Sequence, residues 1–226
     1  MNFSILYIAL IFLSPVSLYA AKESSVITET HNNQLIKAAQ NRDLAKIKDL
    51  IKTKAKLNIR DSKGRTALLI ATENDDVEIA RALVKAGADV NLQDDKLDSP
   101  LLYAGAAGRL EILKLILADK PNFKVYNRYG GTALIPACER GHVDVVKELL
   151  KTKIDINHVN KLGWTGLMEA IVLSDGGPKH QEIVQLLVDA GADLNIPDRD
   201  GVTPLEHAKR RGYKEIVKIL EKAHAK

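Results

Sequence analysis

Thr66-Ala67-Leu68-Leu69-Ile70-Ala71 is one of five versions of a single block. The others are Ser99-Pro100-Leu101-Leu102-Tyr103-Ala104, Thr132-Ala133-Leu134-Ile135-Pro136-Ala137, Thr165-Gly166-Leu167-Met168-Glu169-Ala170 and Thr203-Pro204-Leu205-Glu206-His207-Ala208. Successive blocks begin 33, 33, 33 and 38 residues apart. A fixed stride of this size marks a stacked repeat, in which each unit buries its apolar face only against its neighbours. The leading Thr or Ser stands where a hydroxyl caps free N–H groups at a helix start. Pro100 and Pro204 follow at the first helical position, where a missing N–H costs nothing. The Leu and the Ala three residues later share one face of a short helix, and the small Ala lets the next helix approach. Gly108, Gly141 and Gly212 then end that helix in a left-handed backbone.

A second helix follows in each unit, with apolar residues at helical spacing: Val77, Ile79, Ala80, Leu83 in one, Val143, Val145, Val146, Leu149 in another. Asp or Asn at 61, 94, 127, 160 and 198, with Gly at 64, 130, 163 and 201, builds a tight turn between units. Leu97 stands where the third turn would have its glycine, so a different backbone is expected there. Such helices are too short to persist alone in water, and the array folds as a unit.

Thr203-Pro204-Leu205 with Ala208, Gly141-His142, the Ile183-Val184…Leu186-Leu187 helix and Gly191-Ala192-Asp193-Leu194-Asn195 resemble, in order and in phase, the ankyrin repeat. The resemblance covers 34–223 and implies an all-α solenoid of about six helix-turn-helix units with β-turn fingers. The units are 34–61, 62–94, 95–127, 128–160, 161–198 and 199–223, the outer two acting as degenerate caps, with a tail at 224–226. The histidine usual in the first helix is replaced by Leu69, Leu102, Ile135, Met168 and Glu206. The longer fifth stride places Ser174-Asp175-Gly176-Gly177-Pro178 between the two helices of its unit, as an elongated surface loop.

No catalytic constellation emerges. The six histidines form no His-x-x-x-His pair, and the single Cys138 allows neither an internal disulfide nor a Cys-x-x-Cys site. Cys138 reads as a small core residue. The paired carboxylates fall at turns and caps, where structural roles explain them. No catalytic, cofactor or metal site is therefore expected, and the chain reads as a non-enzyme. The net charge of +4 is mild, with lysines alternating with acids, so nucleic acid is not an expected partner.

Ahead of the repeats, Ile5 to Leu13 is an apolar run broken by Ser14-Pro15 and followed by Leu18-Tyr19-Ala20-Ala21 and polar residues. This reads as a signal peptide at 1–20, cleaved after Ala20, with a polar linker at 21–33. An uncleaved anchor is the competing reading; the run is short for a span of about 20 residues. Lys or Arg is absent before Lys22, and Leu18 is large for its place before the cleavage point. The expected location is periplasmic or secreted, without stable membrane insertion after cleavage.

In ankyrin-like arrays the fingers and the exposed side of the first helices form a concave binding surface. The chain is 4% aromatic, yet its one Trp and two of its six Tyr fall on adjacent fingers. Trp, Tyr and Arg are the side chains that most often carry interface energy. Tyr126, Arg128, Tyr129, Glu139, Arg140, Lys161, Leu162 and Trp164 are therefore the candidate partner-binding residues. The resemblance to exported, single-domain bacterial ankyrin proteins implies a monomeric protein-binding module that restrains or protects another periplasmic protein, such as an inhibitor or immunity-type partner of a cell-wall hydrolase. Support of a periplasmic antioxidant enzyme, or a host-directed effector role, are the alternatives.

Overall fold

The computed structural model describes residues 34–225. The expected signal peptide and linker lie outside the described residues. Within the described residues twelve helices follow one another in pairs: α1 (34–40), α2 (Leu44–Lys52), α3 (Ala67–Glu73), α4 (Val77–Lys85), α5 (Pro100–Ala107), α6 (Leu110–Ala118), α7 (Leu134–Glu139), α8 (Val143–Leu150), α9 (Gly166–Val172), α10 (Pro178–Asp189), α11 (Pro204–Arg211) and α12 (Lys214–Lys222). No strand occurs among the described residues. From α3 to α11 each odd-numbered helix packs on the next odd-numbered one, and from α2 to α12 each even-numbered helix packs on the next even-numbered one. Two helical layers result, with one continuous core between them. The Ala of every block is fully buried, as are Leu83, Ile112, Leu113, Ile116 and Leu149 from the outer layer. Each such large side chain contributes about 1.5–3 kcal/mol by leaving water.

Caps form where the block places them, with one exception. Thr66, Ser99, Thr165 and Thr203 accept from the backbone N–H three residues on, and Thr203 with Glu206 completes a capping box. Thr132 makes no cap bond, and its buried hydroxyl is unpartnered. In the other four blocks the capping residue's carbonyl accepts from the N–H four residues on. In the fourth unit that residue is Pro136, which has no N–H. The first turn is left open, and α7 starts only at Leu134.

The fingers are small hairpin turns of one design. Gly64, Gly130, Gly163 and Gly201 donate back to the turn's Asp or Asn carbonyl at 2.8–3.1 Å, and the turn Asp or Asn carboxylate or amide oxygen caps the loop from within. Leu97 does the same: its N–H reaches the Asp94 carbonyl at 3.0 Å, and its φ is 62°. The expectation of a different backbone at Leu97 is therefore corrected. The Asp94 side chain accepts from the N–H of Lys96 and of Asp98 at 2.9 Å each and imposes the turn, leaving leucine in a left-handed conformation. That conformation costs an L residue about 1–2 kcal/mol. Glycine would relieve it while losing about 0.5–1 kcal/mol to backbone entropy. Leu97→Gly is thus expected to raise the unfolding free energy by about 0.5–1 kcal/mol. Leu97→Ala should give no such gain. Urea unfolding of the three chains decides it; equal midpoints for Gly and Ala would mean the turn is unstrained.

Neighbouring units are tied at both edges. His142 and His180 donate from Nε2 to the carbonyls of Ala106 and Glu139, and Tyr213 donates to the Ser174 carbonyl at 2.6 Å. On the other edge the Asn58, Asn91 and Asn157 side chains accept from backbone N–H groups one unit on. These bonds fix the stacking angle of the first helices, and so the curvature of the face they present.

Candidate functional site

The fingers and first helices of the third to fifth units enclose a hollow of about 810 Å³. Its rim is formed by fingers and its floor by α5, α7 and α9. Five of the eight candidate residues line it: Arg128, Tyr129, Glu139, Arg140 and Leu162. Tyr129 is 52% exposed, and Leu162 and Leu173 are each 47% exposed. Exposure of this size brings apolar surface to water around a concavity, the arrangement typical of binding sites.

The other three candidates are placed differently. Tyr126 stacks on His158, with ring centroids 4.5 Å apart and planes 10° from parallel, while His158 Nε2 donates to the Gly130 carbonyl at 2.6 Å. Lys161 lies along the neighbouring finger: its Nζ donates to the Arg128 carbonyl at 3.2 Å, and its stem packs under Gly130. Trp164 is half-buried beyond the hollow, at the base of its finger, where its backbone closes the turn with Asn160. None of these three lines the hollow, and Tyr126 and Lys161 are exposed outside it.

Charges within the hollow are partly matched. Arg128 sits 4.8 Å above the Tyr129 ring and 3.6 Å from Asp98. Burial, then the neighbouring Asp94, push the Asp98 carboxyl upward, and Arg128 opposes this. Arg140 donates to the Ala106 carbonyl at 2.7 Å and reaches Glu139 only at 4.0 Å.

The floor holds a residue outside the candidate set. Glu169, in α9, is 5% exposed and accepts one hydrogen bond, from Asn160 Nδ2 at 2.7 Å. Burial, and then the negative charge of Glu139, push its carboxyl up to about 7, with the Asn160 bond and Arg140 pulling the other way. Other units carry Ile70, Tyr103, Pro136 and His207 at this register. A carboxylate immediately before the framework Ala was the available signal. Cys138, fully buried beside it, has its thiol pushed far up by burial, so it serves as packing. Among the described residues no three His, Cys, Asp or Glu side chains are grouped to hold a metal ion, and no helix is long and apolar enough to cross a membrane.

A family model described as "Ankyrin repeats (3 copies)" matches at residues 35–127, 101–198 and 160–226, which together span almost the whole repeat region. The chain is an ankyrin repeat protein. It is similar to an ankyrin repeat domain of Acinetobacter baumannii AYE, at 51% identity and a TM-score of 0.83, over 85% of this chain and 98% of that one. The ankyrin repeat protein EF0377 is similar at 46% identity and a TM-score of 0.83, over 84% of this chain and 98% of that one. The ankyrin repeat domain of Bcl-3, a member of the IkappaB family, gives 25% identity and a TM-score of 0.77, over 85% of this chain and 86% of that one. Among curated proteins, YahD of Escherichia coli K12 is 53% identical over 58 residues. That match spans 26% of this chain and 29% of YahD. Ankyrin repeats are protein–protein interaction modules.

Proposed function

We propose that this ankyrin array is an exported, monomeric module whose concave face binds another exported protein and restrains or protects it. A cell-wall hydrolase held by an inhibitor or immunity-type partner is the sharpest form of this reading. One observation carries the binding part: a hollow spanning three units, in which exposed Tyr129, Leu162 and Leu173 surround the polar Glu139, Arg140 and Glu169. The apolar run at the start of the chain supports export. The test uses the full chain and a Tyr129→Ala, Leu162→Ala double variant as baits for periplasmic extract. The parent is expected to retain a protein in one-to-one proportion and to lower its activity. Loss of two central interface side chains should weaken retention by about tenfold or more. Equal recovery by both baits would sink the concave site. Recovery of the mature chain from the periplasm with Ala21 at its start is the expected result for export, and retention in the cytoplasm overturns it.

A further inference from the structure

The repeat contains an internal comparison for the floor of the hollow. In the second unit Arg65 follows the turn glycine. Its guanidinium binds Asp61 at 2.8 Å and Glu73 at 2.6 Å, joining finger to helix. Two strides of 33 residues further on, the corresponding positions hold Asn127, Gly131 and Glu139. The carboxylate has been kept and its arginine has become glycine. Gly131 and Glu139 both line the hollow. Next to Glu139, on the adjacent helix, stands the buried Glu169, so two carboxylates from α7 and α9 share the same end of the floor.

Arg140 acts on both carboxylates from a distance, and among the described residues neither arginine of the hollow bridges them. Arg128 is held by Asp98 and the Tyr129 ring. Arg140 is held by the Ala106 carbonyl, at the outer limit of an ion pair with Glu139. Glu139 is only half-buried, but a second negative charge beside the buried Glu169 is costly, and a cation between them removes the cost. A planar guanidinium meets two carboxylates with two sides of its fork, while its aliphatic stem packs on apolar walls. Tyr103, Ile135 and Pro136 supply such walls.

We propose that the hollow receives an arginine side chain of the partner protein, whose guanidinium takes between Glu139 and Glu169 the role that Arg65 plays in the second unit. This rests on the reading of the concave face as the partner site. The occupant is an exposed arginine on a loop or extended segment, with flanking apolar residues resting on Tyr129 and Leu162. The anchor is made from positions at which the repeat departs from its own pattern.

The test selects short random displayed peptides against the full chain, then measures the enriched peptides individually. Enrichment of an arginine at one position is expected. Replacing that arginine by glutamine, or Glu169 by glutamine, should each weaken binding by about tenfold, and both together by no more than either alone, because they remove one interaction. Arginine to lysine in the peptide should lose most of the same affinity. Peptides without an enriched arginine overturn the anchor. So does binding that ignores Glu169→Gln while it is lost in the Tyr129→Ala, Leu162→Ala variant, an outcome that leaves the concave site standing. Binding indifferent to all three substitutions overturns both readings.

Discussion

Gly105→Val is expected to lower the unfolding free energy by about 3 kcal/mol, and Gly105→Ala by about 1–2 kcal/mol, although propensity alone favours replacing a glycine in a helix interior. Gly105 lies in α5 with a right-handed backbone, so no conformational demand requires glycine there. The demand is space. A Cβ at this position would stand 2.6 Å from the Ala133 carbonyl oxygen and 2.9 Å from the Ala133 Cβ. Both belong to, or are fixed by, the backbone at the start of α7, so no side chain can swing aside. Replacing glycine by alanine in a free helix gains up to about 1 kcal/mol. Forcing extra atoms into a packed contact costs about 1–3 kcal/mol, so the clash wins even for one methyl group. The branched side chain of valine adds two more carbons at the same contact. Urea unfolding of the parent and both variants checks the order. Alanine at or above the parent would show that α7 can shift at no cost. The effect should also reach the hollow, since α5 and α7 are two of its three floor helices and Gly105 sets their separation.

The repeated block made the fold legible because each of its residues answers a separate physical need. A hydroxyl caps, a leucine fills, an alanine lets helices approach and a glycine turns the chain, and a stacked array is what brings those needs together at one stride. Leu97 and Thr132 misled because each depends on a second residue. The Asp94 side chain imposes the turn on Leu97 from outside its own φ preference. Pro136 withholds the bond that would close the turn begun by Thr132. Gly105 was invisible because its partner Ala133 is almost a stride away and no periodicity flags a glycine inside a helix.

The candidate site was legible as a region. Exposed rim positions such as Tyr129 and Leu162 follow from the family's finger register, whereas composition does not separate them from Trp164, which is half-buried and does not line the hollow. Glu169 was hidden for a different reason. A carboxylate in a short helix ordinarily reads as solvated surface, and only the stacking of α7, α9 and the Asn160 finger takes water away from it. The irregularities of the repeat therefore fall into two groups. Leu97 and Thr132 are absorbed locally by the framework. Gly131, Glu139 and Glu169 converge on one hollow.

Glu169→Gln is expected to stabilise the free chain by about 2–3 kcal/mol at pH about 8, with the gain disappearing as the pH falls below about 4.5. The folded carboxyl titrates at about 7, against 4.5 for the ordinary group. Between these values the folded chain holds a proton that the unfolded chain has released. Unfolding then releases the proton, so stability falls as pH rises through that window and levels off above the folded value. A shift of this size corresponds to about 3 kcal/mol. Burial is the leading cause and Glu139 the second; Arg140 and the Asn160 amide act against them. Glutamine keeps an oxygen for the Asn160 bond, removes the charge and leaves the side chain's shape unchanged. Burial also disfavours the imidazolium of His142, which is common to both chains. The informative measurement is therefore the difference between parent and variant in urea unfolding from pH about 4.5 to about 8. A difference that grows with pH supports the ionised floor carboxylate, and parallel curves would mean that Glu169 is solvated in both states. The sign carries a further consequence. A substitution that stabilises the free chain yet weakens an arginine-bearing partner makes Glu169 a cost of the unbound state that binding recovers. Structural carboxylates behave in the opposite way, since removing one destabilises the chain and leaves its partners unaffected.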